Sequence, residues 1–206
     1  MTERVLDHPL LAHPELRLIA ERLAAHEPQP AETDGHPRRA AVALVFRAAA
    51  GTSGDAELLI IRRAEREGDP WSGQMGLPGG GAHPNDESLE DTALRETLEE
   101  TGIDVRADGH VLGWLDENRP RTSALPAIIV RPFVAVVRSD VTLTFNHEVA
   151  DALWIPLRVL RDASSQRDSV VHVRGEARNE PSFVVGSTIV WGMTNRILRS
   201  LLRLLD

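Results

Sequence analysis

The sequence predicts an α/β fold in which a mixed β-sheet is packed between helices. Two observations carry this prediction: compact apolar runs of strand length recur along the chain, and a central and a C-terminal segment show helical periodicity. The chain has 206 residues, and 42% of them are hydrophobic. This is enough for one domain with a well-buried core.

The N-terminal part is predicted to be a helix followed by a linker. Leu16, Ile19 and Leu23 follow helical spacing in residues 14–25. The polar segment after this helix carries three prolines and a glycine before residue 38, which is typical of a loop. We therefore expect an N-terminal helix and linker over residues 1–37 and the main domain over residues 38–206.

Strands are predicted where apolar runs lie between turn-forming residues. The first two begin at Ala40 and Ala56, with a hairpin connection between them, and a Gly- and Pro-rich, mostly irregular segment follows at residues 65–80. Further strands are expected in residues 110–117, in residues 125–138 with a bend or bulge near Pro132, and from Val149 to Trp154. A short helix should follow from Pro156.

Two longer helices complete the predicted elements. One covers Ser88 to Thr101 and is stopped by Gly102. The other covers about Thr188 to Leu205, with an apolar stripe formed by Val190, Met193, Ile197, Leu201 and Leu204 and a polar side formed by Arg196, Arg199, Ser200 and Arg203. The stripe could serve the core or a homodimer.

Composition excludes several functional classes. The formal net charge of -8 argues against non-specific binding to nucleic acid or to an anionic membrane. Without cysteine there is no thiolate catalysis, disulfide or cysteine-type zinc site. The first residues do not resemble a secretory signal, and no apolar run reaches the roughly 18 residues of a membrane span. We therefore expect a cytoplasmic protein.

Three glutamates on the central helix form the first candidate site. At about 100° per residue, Glu96, Glu99 and Glu100 fall in one sector, whereas Leu94 and Leu98 fall opposite and are expected to face the core. Like charges at this spacing repel each other, and the end of a helix disfavours negative charge. A divalent cation such as Mg²⁺ or Mn²⁺ would relieve both effects. The alternative is a solvated acidic face balanced by Arg95.

A glycine triplet, Gly79, Gly80 and Gly81, precedes this helix. Glycine permits close approach of a ligand to the backbone, and consecutive amides can bind an anion. The spacing that follows is Gly81, five residues, Glu87, seven residues, Arg95-Glu96, two residues, Glu99-Glu100, one residue, Gly102-Ile103. It resembles the Nudix box, G-x5-E-x7-R-E-U-x-E-E-x-G-U, where U is a bulky aliphatic residue. The one departure is Thr97 at the first U position.

The resemblance implies a Nudix-type α/β/α sandwich that hydrolyses a nucleoside diphosphate linked to another group, X. It implies that Glu96, Glu99 and Glu100 ligate Mg²⁺ or Mn²⁺ together with a backbone carbonyl near Gly80 or Gly81. It also implies an ion pair between Glu87 and Arg95. The general base would be a box glutamate or a distal acid, for which Glu148 is the first candidate and Asp151 the second; both could instead be surface residues.

Two flanking segments are similar to coenzyme A pyrophosphatases. Before the box, the similarity lies in Leu58-Leu59, Arg63-Ala64, Arg66, Gly73-Gln74 and Pro78-Gly79-Gly80; near the C-terminus it lies in Pro181, Phe183, Trp191, Gly192 and Thr194. The chain departs from that pattern at Ile61 or its neighbour, at Leu77 and by one extra residue around Asp69-Pro70-Trp71. The resemblance implies coenzyme A or a derivative as substrate, cleaved to 3',5'-ADP and 4'-phosphopantetheine.

Candidate substrate contacts lie beside the box. Arg62, Arg63 and Arg66 could bind phosphates, or pair with neighbouring acids, and Trp71 could stack on a base or fill the core. Gly79 and Gly81 would approach the phosphates. The alternative functions are hydrolysis of a nucleotide sugar, dinucleoside polyphosphate or damaged nucleoside triphosphate, and nucleotide sensing without cleavage.

Overall fold

A computed structural model describes residues 6–33, 35–49, 54–67, 71–120, 127–173 and 175–206. The helices are α1 (Pro14–Ala24), α2 (Leu89–Thr101), α3 (Val105–Asp108), α4 (Leu157–Arg161) and α5 (Gly192–Leu205), with 3-10 turns at Pro9–Ala12 and Ala163–Ser165. The strands are β1 (Arg38–Ala48), β2 (Ala56–Arg63), β3 (Met75–Gly76), β4 (Gly79–Gly81), β5 (Gly109–Trp114), β6 (Ile128–Val137), β7 (Val149–Pro156), β8 (Gln166–Val173), β9 (Glu176–Val185) and β10 (Thr188–Trp191).

Seven of these strands form one mixed sheet, as predicted. Strands β1 and β6 run parallel, whereas the other pairs, β1–β2, β2–β7 and β5–β6 among them, are antiparallel. The sheet forks between β1 and β2, which pair only from Phe46 to Ala48. Strand β3 fills the fork beside β2 and β4 fills it beside β1, so the glycine loop is built into the centre of the sheet.

Side chains alternate across the sheet, because successive residues of a strand point to opposite faces. Leu58 and Ile60 pack into a core with α1 and α5, whereas Leu59 packs into a second core with α2 and α3. We call these sides the α5 face and the α2 face. With both faces covered, the architecture is the predicted α/β/α sandwich.

The N-terminal helix is part of the α5-face core, since Leu16 and Ile19 are fully buried there. The linker after it is held by two residues that follow β5. Gln29 N–H donates to Asp116 Oδ1 at 2.9 Å, and Ala31 N–H donates to Glu117 Oε2 at 3.1 Å. The domain boundary at residue 37 stays a prediction.

The C-terminal region differs from the prediction. Residues Thr188–Trp191 are not helical but pair with Ser182–Val185 of β9, in a second sheet of order β10-β9-β8. Helix α5 therefore begins only at Gly192, and its buried apolar residues are Ile197, Leu198, Leu201, Leu202 and Leu205. Met193 and Leu204 are only partly buried. Backbone pairing with β9 outweighs the helical pattern of Thr188–Trp191. Sequence periodicity gives no information about this pairing.

Two smaller differences concern the strands. Strand β7 continues to Pro156, beyond the expected end at Trp154, because it pairs with β2 as far as Glu57. The irregularity expected near Pro132 lies instead in β5, between Val111 and Gly113, while β6 keeps an unbroken register with β1. None of the helices in the described part of the chain has the length and hydropathy to span a bilayer.

Candidate active site

Helix α2 has defined ends, which set its position against the glycine loop. Ser88 Oγ accepts a hydrogen bond from Asp91 N–H at 3.1 Å and caps the first turn. Gly102 ends the helix in the left-handed conformation with φ 75° and donates its N–H to the Leu98 carbonyl at 2.9 Å. A Cβ at Gly102 would lie 3.0 Å from Thr144, so a side chain there would crowd Thr144 as well as strain the backbone.

Two glycines allow the loop to pack closely, Gly79 against β1 and Gly80 against helix α2. Gly79 has φ +151° and an added Cβ would lie 2.3 Å from the Ala41 carbonyl oxygen. An added Cβ at Gly80 would lie 2.5 Å from Glu96 Oε1. The Glu96 carboxylate therefore rests directly on the Gly80 backbone, which only a residue without a side chain permits.

Glu100 is the buried carboxylate of the site. It is 2% exposed, and its Oε2 accepts a hydrogen bond from Gly79 N–H at 2.9 Å. Burial raises the pKa of Glu100 to about 7, and the negative charges of Glu96 and Glu148 add to this rise, whereas the Gly79 N–H and Arg63 oppose it. Glu148 and Arg63 thus lie near enough to Glu100 to affect it electrostatically.

Arg95 neutralises the exposed side of the glutamate cluster. Its Nη1 lies 2.9 Å from Glu96 Oε1 and 3.3 Å from Glu99 Oε2. Within the described residues, no three acidic or histidine side chains converge closely enough to enclose a cation. The donor set nevertheless suits Mg²⁺ or Mn²⁺, because it consists of hard carboxylate oxygens beside a close backbone and includes the buried carboxylate of Glu100. Ligation by Glu96, Glu99, Glu100 and Gly80 stays a prediction.

The expected ion pair between Glu87 and Arg95 is wrong, since Asp86 is the partner. Arg95 Nε donates to Asp86 Oδ1 at 2.9 Å and Nη2 donates to Oδ2 at 3.1 Å, whereas Glu87 is exposed. Asp86 Oδ2 also accepts from Thr92 Oγ1 at 2.8 Å and from His83 N–H at 2.9 Å. The bond from Arg95 holds the pKa of Asp86 well below its usual range. Sequence reasoning missed Asp86 because the loop path decides which of two adjacent acids turns inward.

Leu98 does not face the core, contrary to expectation, and is 45% exposed. The buried side of α2 consists instead of Thr92, Ala93, Leu94, Thr97, Glu100 and Thr101. Thr97, the departure from the aliphatic residue of the box, is fully buried, and its hydroxyl donates to the Ala93 carbonyl at 2.7 Å. Its polar group is thereby satisfied inside the helix.

The three candidate arginines are not one cluster. Arg62 and Arg63 are consecutive in β2 and point to opposite faces. Arg63 lies on the α2 face near Glu100, whereas Arg62 lies on the α5 face with Nη2 3.6 Å from Asp151 Oδ2. Arg66 pairs with Glu148, Nη2 to Oε1, at 3.6 Å.

The structure also shows where most of the other predicted substrate-contact residues lie. The rings of Trp71 and Trp191 lie 6.4 Å apart and are tilted by 49°. Gly79 uses its N–H for Glu100, and the Gly81 carbonyl accepts from Arg95 Nη2 at 3.4 Å. Leu77 is 7% exposed and packs in the α5-face core, so its departure from the related pattern concerns packing. Asp69 and Pro70 lie outside the described residues.

Comparison with known proteins places this arrangement in one family. The family model described as NUDIX domain matches residues 36–173. A protein named "Uncharacterized Nudix hydrolase NudL" from Yersinia enterocolitica is 33% identical over 181 residues, which cover 87% of this chain and 88% of that protein. An uncharacterised protein of Schizosaccharomyces pombe is 38% identical over 133 residues, 62% of this chain but only 40% of that protein's length. A MutT/nudix family protein from Enterococcus faecalis has the same fold, with a TM-score of 0.55, 19% identity, and coverage of 86% of this chain and 66% of that one.

Proposed function

This chain belongs to the Nudix family, and we propose that it is a Mg²⁺- or Mn²⁺-dependent pyrophosphohydrolase that cleaves the diphosphate of coenzyme A or a CoA derivative. The products are 3',5'-ADP and 4'-phosphopantetheine. The observation that carries the proposal is the contact of Glu96 with the Gly80 backbone beside buried Glu100. These groups bring carboxylate charge and close backbone to one place.

The residues of the chain have distinct roles in this proposal. Glu96, Glu99 and Glu100 hold the cation, and Arg63 on the same face attracts the diphosphate. When bound, the cation neutralises the diphosphate and lowers the pKa of a water molecule. One of the box glutamates is the first candidate for the general base. Glu148 is the second, because its charge acts on Glu100.

The choice of coenzyme A rests on the flanking segments. Arg63, Gly73-Gln74 and Trp191 match the related pattern, and the matched relative from Yersinia enterocolitica spans nearly the same length and carries the name Nudix hydrolase. Another nucleotide is the second candidate, because the box itself acts on the diphosphate and does not recognise X. Sensing without cleavage is disfavoured, since the chain keeps every box acid.

One panel of substrates tests the proposal. The protein is incubated with Mg²⁺ or Mn²⁺ and with coenzyme A, a nucleotide sugar, a dinucleoside polyphosphate and nucleoside triphosphates, and the products are separated. Turnover of coenzyme A well above the others is expected. Preference for another compound of the panel would assign the substrate to the class of that compound. Tight binding of any of these compounds without turnover would favour a sensor.

A further inference from the structure

A groove on the α5 face is a feature that the metal site does not explain. It has a volume of about 440 Å³ and lies where the second sheet covers the end of the central sheet. This volume is within the range of small-molecule sites. Apolar side chains from four strands of the central sheet and the second sheet contribute to its lining: Met75, Leu153, Val171, Ile189 and Trp191.

The charge of the groove is nearly balanced. The cation Arg62 lies 3.6 Å from the Asp151 carboxylate, and the remaining titratable group of the lining is His172, which is exposed. Gln74 and Thr188 add neutral hydrogen-bonding groups to the lining. A lining of this kind does not favour a phosphate. It suits a neutral chain that has apolar stretches and a few donors and acceptors.

The groove and the catalytic residues lie back to back at the same end of the sheet. Arg63 acts on the α2 face, and its neighbour Arg62 lines the groove. Glu148 acts on Glu100, and Asp151 lines the groove only three residues later, at the start of β7. Three residues of extended chain span about 10 Å. In the described residues β7 pairs with β2 alone, so a flexible ligand can pass over this edge of the sheet.

We propose that the groove binds the long, uncharged part of the substrate beyond the diphosphate. In a CoA-type substrate this part is the amide-bearing pantetheine arm with any acyl group on its sulfur. Nucleotide sugars and dinucleoside polyphosphates offer no comparable arm, so Leu153, Ile189 and Trp191 are specificity-determining residues. This inference rests on the proposed function.

The experiment compares coenzyme A with a truncated analogue in which a methyl group replaces the pantetheine arm. Both molecules have the same diphosphate and nucleoside, so a difference in kcat/KM reports binding of the arm. The native protein should prefer coenzyme A by roughly 100-fold, the effect of burying about three or four methylene equivalents. Ile189→Trp, which fills the groove, should reduce this preference to below about 5-fold and leave kcat/KM for the analogue within about twofold.

Ile189→Val is the matched control, because it keeps the groove open and apolar, and it should retain the preference. Leu153→Ala, which removes part of the apolar lining, is a second test if Ile189→Trp does not fold. An equal loss on both substrates, or an unchanged preference in the groove variants, would overturn the inference while leaving the diphosphatase chemistry intact. Failure of the native protein to hydrolyse either molecule would instead overturn the proposed function.

Discussion

Replacing Glu100 with glutamine should stabilise the metal-free protein and remove its activity. Glu100 is 2% exposed, and burial raises the pKa of its carboxyl group to about 7. The ordinary pKa of a glutamate in an unfolded chain is about 4.3. Glutamine has the same shape and can still accept the hydrogen bond that Gly79 N–H gives to Oε2 at 2.9 Å, so the substitution removes the charge and little else.

The direction in which stability changes with pH follows from proton binding. Between about pH 4.3 and pH 7 the folded protein holds a proton at Glu100 that the unfolded chain has released, so stability falls as pH rises through this range. Above about pH 7 the loss is on the order of 3 kcal/mol. Glu100→Gln should recover most of this amount at pH 8 and almost nothing at pH 4.

Urea unfolding in the presence of EDTA at both pH values measures the difference. Glu99→Gln is the matched control, because the Glu99 side chain is 52% exposed and carries no comparable desolvation penalty. Addition of Mg²⁺ should stabilise the native protein and leave Glu100→Gln almost unchanged, and turnover should fall by orders of magnitude. An equal gain at pH 4 and pH 8 would refute the electrostatic reasoning, and near-normal turnover would refute the metal assignment.

Three further predictions test the site and the fold, the first of them with a control substitution. Asp86→Asn should lower kcat by about 10- to 100-fold, the usual effect of losing the partner of a ligand-orienting group. Glu87→Gln should stay within about twofold of native activity, because Glu87 does not pair with Arg95. Steady-state kinetics measures both variants, and equal losses would contradict the Asp86 pairing. Gly80→Ala should weaken Mn²⁺ binding, measured by electron paramagnetic resonance, since its Cβ would lie 2.5 Å from Glu96 Oε1; unchanged affinity would contradict this contact. Glu117→Ala should lower the free energy of unfolding, measured with urea, by about 3 kcal/mol. It leaves two part-buried arginines, Arg39 and Arg131, without the carboxylate that they share. A loss below about 1 kcal/mol would show that these arginines are solvated instead.

The sequence predicted the fold class and the placement of the acidic helix beside the glycine loop. Both depend on local signals, namely strand-length apolar runs, the Ser88 cap, the Gly102 stop and a fixed motif spacing. The prediction failed where long-range contacts decide. Thr188–Trp191 has a helical pattern and is nevertheless a strand, because β9 supplies a partner for its backbone.

The errors within the site have two causes, the path of a loop and the alternation of side chains along a strand. The sequence shows two adjacent acids before the helix, and only the path of the loop brings Asp86 rather than Glu87 to Arg95. Arg62 and Arg63 are adjacent in sequence, which predicted one basic patch, but adjacent side chains of a strand point to opposite faces of the sheet. Since β2 extends through Arg63, alternation alone would have separated them.

The burial of Glu100 and the position of Arg95 determine what would compete with a cation at the proposed metal site. Glu100 avoids its buried charge by holding a proton near neutral pH, whereas Glu96 is neutralised by Arg95 at 2.9 Å. If these two glutamates are metal ligands, as we propose, a cation has to displace a proton from Glu100 and a guanidinium from Glu96. Asp86 keeps two hydrogen bonds to Arg95 on the far side, so Arg95 can release Glu96 without losing its own partner. We therefore expect Asp86→Asn to alter metal affinity most at a pH where Glu100 is already ionised, since the Arg95 contact is then the remaining competitor.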